Sequence, residues 1–79
     1  QKTVEASVRQ TNCIRFLIEK GILRDLPGPL RAAADARLEA PDASIVELAG
    51  MMSPPIGKSG MNHRLRKLVE IAEEHGYHE

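Results

Sequence analysis

The sequence predicts an all-α domain, and three observations lead there. No stretch alternates apolar and polar residues as a half-buried strand does. Apolar residues recur instead at spacings of three and four, the period of a helix face. Gly21, Pro27, Pro41, Pro54-Pro55 and Gly76 divide the chain into four such segments. With 79 residues, the chain is one small domain near the lower limit for folding on a single core. One Tyr, one Phe and no Trp leave that core to Leu, Ile, Val, Ala and Met.

The first helix is predicted from about Lys2 to Lys20, with Gly21 placed to end it in a left-handed conformation. Val4, Val8, Cys13, Ile14, Phe16, Leu17 and Ile18 give it a broad apolar stripe, which Ile22, Leu23 and Leu26 continue. The second helix opens near Pro27 or Pro29, because proline is tolerated in a first turn. Leu30, Ala33, Ala34, Ala36 and Leu38 follow, mostly small, so its neighbours can approach closely.

Pro41 forces a new start. Ser44 followed by Glu47 fits a capping box for a third helix, about Ser44 to Met52, with Ile45, Leu48, Ala49 and Met52 on one face. Ser53-Pro54-Pro55 cannot continue it, since two prolines remove two donors and exclude helical geometry before them. The fourth helix is expected from Lys58 or Ser59 to about His75, ended by Gly76, with Met61, Leu65, Leu68 and Ala72 buried. The third and fourth helices have the apolar skeleton of a helix-turn-helix, Leu48-Ala49, Met52, Ile56 and Met61, with Ala49 the small residue at the crossing. Their turn is about two residues longer than the commonest version.

Charge singles out the fourth helix. Lys58 to Leu68 carries four of the eleven bases and none of the eleven acids, leaving the remainder at minus four. With the buried stripe fixed, Ser59, Asn62, His63 and Arg66 lie on the opposite face, and Lys58, Arg64 and Lys67 flank them. Arg suits guanine and Asn suits adenine, Ser bonds bases or phosphates, and the flanking bases neutralise phosphates. Gly57 and Gly60 leave the amino end of this helix uncluttered for close backbone approach. A basic run of this kind is, taken alone, more often just a solvated amphipathic face; the preceding helix and turn favour DNA. Residues 27–79 are therefore expected to form a helix-turn-helix DNA-binding domain. Residues 1–26 supply a helix and connection, expected to link to a further N-terminal domain or to make a dimer contact.

Three segments carry a family resemblance. They are Lys2-Thr3-Val4, Gly21-Ile22-Leu23 through Leu26-Pro27, and the block Ser53-Pro54-Pro55-Ile56-Gly57-Lys58-Ser59-Gly60-Met61-Asn62-His63-Arg64-Leu65-Arg66-Lys67. On these the chain resembles the carboxy-terminal domain of the WhiA sporulation regulators, over nearly its whole length. Gly57 departs from the family's serine there, which removes one helix-capping hydroxyl. The resemblance implies a bacterial transcription regulator tied to sporulation or cell division. It also implies a fold similar to the part of sigma factors (region 4) that reads the upstream promoter element. The family's amino-terminal part is similar to LAGLIDADG homing endonucleases without nuclease function. By the same resemblance Lys58, Ser59, Asn62, His63, Arg64, Arg66 and Lys67 occupy DNA-facing positions.

Other chemistry is weakly marked. His75 and His78 are three apart beside Glu79, a spacing open to a metal but more typical of a solvated, fraying tail. His63, a titratable group beside phosphates, would strengthen binding toward acid pH. Cys13 reads as a small core residue, and a lone cysteine excludes an internal disulfide or a Cys-rich zinc finger. No nucleophile–base arrangement, phosphate loop or paired carboxylates emerge, so neither enzyme activity nor a cofactor is expected. No apolar run approaches the roughly 18 residues of a membrane span, and no secretory signal is seen. A chain opening at Gln1 reads as a fragment of a longer cytoplasmic, nucleoid-associated protein. Two functional classes stay open. One is a module reading double-stranded promoter DNA; the other is a protein-interaction module contacting RNA polymerase, its sigma factor or a co-regulator.

Overall fold

The computed structural model describes residues 2–78, with side chains described from Ser7 onward. Four helices follow one another: α1 (Lys2–Glu19), α2 (Gly28–Glu39), α3 (Ile45–Met51) and α4 (Lys58–Glu74), with a short 3-10 turn at Leu23–Asp25 between α1 and α2. There is no strand among the described residues. The domain is all-helical, as the apolar spacing predicts.

Each boundary has a local cause. Gly21, at φ 71°, ends α1 in a left-handed turn: its amide donates to Ile18 O and the Ile22 amide reaches back to Leu17 O. Gly76, at φ 101°, ends α4 the same way, with its amide on Glu73 O and the Tyr77 amide on Ala72 O. The second closure differs from the fraying expected at the chain's end. Tyr77 follows the reversed turn back onto the fold and meets Phe16 edge-on, with ring centroids 5.5 Å apart at 70°. Pro27 caps α2 from outside, where no amide is needed. Ser44 and Glu47 form the reciprocal capping box: Ser44 Oγ accepts from the Glu47 amide at 3.2 Å, and Glu47 Oε1 accepts from the Ser44 amide at 2.8 Å.

The core lies around α4, which packs against all three other helices. Met61, Leu65, Leu68 and Ala72 are buried from its side, meeting Cys13, Ile14 and Leu17 of α1, Ala33, Ala34 and Ala36 of α2, and Leu48, Ala49 and Met52 from the α3 side. Cys13 is free and fully buried, as a core residue would be. The apolar stripe of α1 is only partly covered. Val8 and Ile18 stay about half exposed, because the neighbours of α1 cover one face only. Val4 lies outside the residues whose side chains are described.

Among the described residues, one charged side chain sits inside. Arg37 is 2% exposed on the buried face of α2, in line with Ala33 and Ala34. Its Nε donates to Gln10 Oε1 at 3.0 Å, and Nη1 donates to Pro41 O at 3.1 Å and Ala43 O at 2.8 Å. Burial lowers its pKa by penalising the charged form. The three acceptors engage Nε and Nη1 and hold the loop that delivers Ser44 to its cap.

Candidate nucleic-acid interface

α3 and α4 are joined by residues 52–57, a longer connection than the usual three or four residues. The connection is closed by the Ile56 amide, which donates to Ala49 O at 3.1 Å, beside a weaker Met52 amide to Ala49 O contact at 3.3 Å. Ile56 packs against the core, and Ala49 is buried where the two helices approach. The extra length is therefore taken up by a turn folded back on α3. Gly57 is the N-cap of α4 in an extended conformation and makes no side-chain capping bond. Two features expose the helix's first amides: an uncapped start, and a glycine at position 60.

The sequence-predicted residues sit as follows. Lys58, Ser59, Asn62, His63, Arg66 and Lys67 are exposed, and Arg64 is half-buried. Burial of Met61, Leu65, Leu68 and Ala72 turns Ser59 and His63 directly outward, with Arg66 and then Asn62 on one side and Lys67 on the other. Arg64 lies roughly 40° from Leu68 at the edge of the buried stripe, which accounts for its partial cover. From Lys58 to Lys67 the helix rises about 14 Å, the length of about four base-pair steps. Among the described residues, Asn62 and Arg66 make no hydrogen bond or ion pair with another segment, and no ion pair engages the four bases.

Charge runs along α4 against what stability would favour. A helix is steadied by acids in its first turn and bases in its last, each worth about 0.3–1 kcal/mol. α4 has no acid in its first turn and no base in its last, and Lys58 opens it. Its acids instead lie in the second half, at Glu70, Glu73 and Glu74, with Glu73 paired to Arg9 of α1 at 2.7 Å. A positive amino end with free amides is an arrangement that attracts an anion and that folding alone does not select.

The remaining candidates are dispersed. His75 caps α4 and is exposed, and His78 is exposed beyond it. No group of three or more His, Cys, Asp or Glu suited to a metal occurs among the described residues. No helix of the described residues is long and apolar enough to cross a membrane. The sequence-predicted residues do not include Arg37, whose place in line with Ala33 and Ala34 sets it on the buried face but whose acceptors leave no pattern of residue types.

These features define a helix-turn-helix domain with a basic helix presented outward. Residues 1–72 match the family described as the WhiA C-terminal HTH domain, and the chain belongs to that family. It is similar to the probable cell division protein WhiA of three bacteria. Identity to the Clostridium acetobutylicum protein is 60% over 74 residues, covering 92% of this chain and 23% of that one. For Heliobacterium modesticaldum it is 53% over 72 residues, covering 91% and 23%. For Desulforamulus reducens it is 48% over 85 residues, covering 99% and 26%. The chain thus spans about a quarter of the length of these curated relatives. No solved structure matches the chain.

Proposed function

We propose that this chain is a sequence-specific DNA-binding module of a bacterial transcription regulator, with no catalytic role, and that α4 enters the major groove of promoter DNA. The observation that carries this reading is the polarity of α4: bases and bare amides at its amino end, acids at its carboxyl end. Ser59, Asn62, His63 and Arg66 face base edges, and Lys58, Arg64 and Lys67 flank them toward phosphates. The relatives' naming as probable cell division proteins supports a role in cell division, and the family resemblance adds sporulation. A nucleoid-associated cytoplasmic location and a mode of docking similar to sigma region 4 follow from the same reading.

The test is a salt series on a duplex selected from a random library. Log affinity should fall linearly with log salt, and Lys67→Ala should flatten the slope by about one unit. Affinity insensitive to salt and to Lys67 would instead favour the second reading, a contact with RNA polymerase or its sigma factor. The acidic remainder of the chain, at minus four outside Lys58–Leu68, supports that second reading by its complementarity to a basic partner surface.

A further inference from the structure

The outward face of α2 is a row set at helical spacing: Gly28, Arg31, Ala32 and Asp35. This row forms one wall of a surface groove of about 520 Å³, whose other wall is Ile18 and the Leu23–Arg24 turn. No residue of α4 lines it, so an occupant there leaves the proposed DNA-facing side free.

Three properties of the groove specify what fits it. First, every lining residue except Leu23 is exposed, so the groove would not enclose most of a small molecule, as ligand pockets do. It runs along a helix face and suits a segment of protein laid into it. Second, Gly28 and Ala32, one turn apart, lower the α2 wall, while Ile18, 48% exposed, and Leu23 offer aliphatic contact from the other side. A helix with aliphatic side chains at i, i+3 or i+4, and i+7 matches that relief. Third, the rim carries Arg24 and Arg31 against Asp35 alone, and none of the three is ion-paired among the described residues. The rim is net positive in a part of the chain that is otherwise net acidic.

We propose that this groove docks an acidic amphipathic helix of a partner protein, its aliphatic row on Ile18, Leu23 and Ala32 and its carboxylates on Arg24 and Arg31. This inference stands independently of the DNA reading, since the two surfaces share no residue. Charge complementarity sets the choice of partner and the aliphatic row supplies the contact.

The test uses the whole chain, labelled with nitrogen-15, and two synthetic amphipathic peptides. Both carry the same leucine row; one is flanked by glutamates, the other by lysines. The glutamate peptide should shift the amide resonances of Ile18, Leu23 and Ala32 and bind at least tenfold tighter than the lysine peptide. Ala32→Glu, at an exposed helical position, should weaken that binding at least tenfold while leaving duplex affinity within twofold of the parent. Shifts confined to Arg66, Lys67 and their neighbours would mean that the acidic peptide had merely found the basic helix, and would overturn the proposal. Equal binding of the two peptides would overturn it as well. So would concentration-dependent dimerisation abolished by Ala32→Glu, which would make a second copy the occupant.

Discussion

Arg37 donates from Nε to Oε1 of Gln10 at 3.0 Å, joining α2 to α1 across 27 residues of sequence. The same side chain holds Pro41 O and Ala43 O, so one guanidinium fixes the end of α2, the middle of α1 and the loop entering α3. The helix-turn-helix is thereby set in place from behind, by a residue remote from its exposed face.

Replacing Arg37 by Ala strands Gln10 and two loop carbonyls and opens space on a buried face. Hydrogen bonds to charged groups contribute about 1.5–3 kcal/mol each in favourable cases, and partial rehydration of the loop offsets some of the loss. The expected fall in unfolding free energy is about 2–4 kcal/mol. That is a large share of the total for a domain of this size, on the order of 5–10 kcal/mol. Arg37→Lys keeps the charge but not the fork, and should recover less than half. Urea unfolding of both variants beside Arg31→Ala, at an exposed position of the same helix, decides the matter. Equal stability of Arg37→Ala and Arg31→Ala would remove Arg37 from this role.

The capping box can be tested in the same way. Ser44→Ala removes the oxygen that accepts from the Glu47 amide, and the loss of such a cap costs about 1 kcal/mol. α3 has only seven residues, so the first turn is a large part of it. Amide hydrogen exchange should accelerate at Val46 and Glu47 before it changes in α4. Uniform acceleration through both helices would mean that they open as one unit and that the cap acts on the whole pair.

Much of this architecture was legible because its causes are local. Gly21 and Gly76 end helices by their left-handed turns, Ser44 and Glu47 are three residues apart, and Met61, Leu65, Leu68 and Ala72 follow the helical period. Arg37 was missed because its acceptors are Gln10 and two backbone carbonyls, which leave no pattern of residue types. Val8 and Ile18 lie on the apolar stripe yet stay half exposed, because periodicity gives the width of such a stripe but not how much of it a neighbour covers. Tyr77 lies past the end of α4, beyond any helical register, and its contact with Phe16 exists only once α1 and α4 are packed. The exposed face of α4 was legible as the complement of its buried stripe.

Gly60 separates folding from binding. It sits in the first turn of α4, where glycine is a poor helix former. A Cβ added there would meet Ile56 Cδ1 at 3.6 Å, an ordinary contact, and the backbone needs no glycine conformation. Gly60→Ala should therefore stabilise the fold by about 0.5–1 kcal/mol. If DNA backbone approaches the amino end of α4, the same methyl group should weaken duplex binding severalfold. Thermal unfolding and duplex titration on one preparation read both effects. A stabilised variant with unchanged affinity would place the duplex away from Gly60.

Asn62 and Lys67 lie on opposite flanks of the outward face and should fail differently. Asn pairs bidentately with an adenine edge, and a good pair of that kind discriminates by about 1–3 kcal/mol. Asn62→Ala should lower affinity for the selected duplex about 5- to 150-fold while leaving binding to random duplex, and the salt slope, nearly unchanged. Lys67→Ala should weaken both duplexes alike and reduce the slope by about one. Fluorescence anisotropy on the two duplexes, at four salt concentrations, separates these patterns. Had Asn62→Ala flattened the slope and Lys67→Ala changed only the selected duplex, the helix would lie in the groove rotated by about the angle between the two residues. The same α4 would then present its Lys67 flank to the bases.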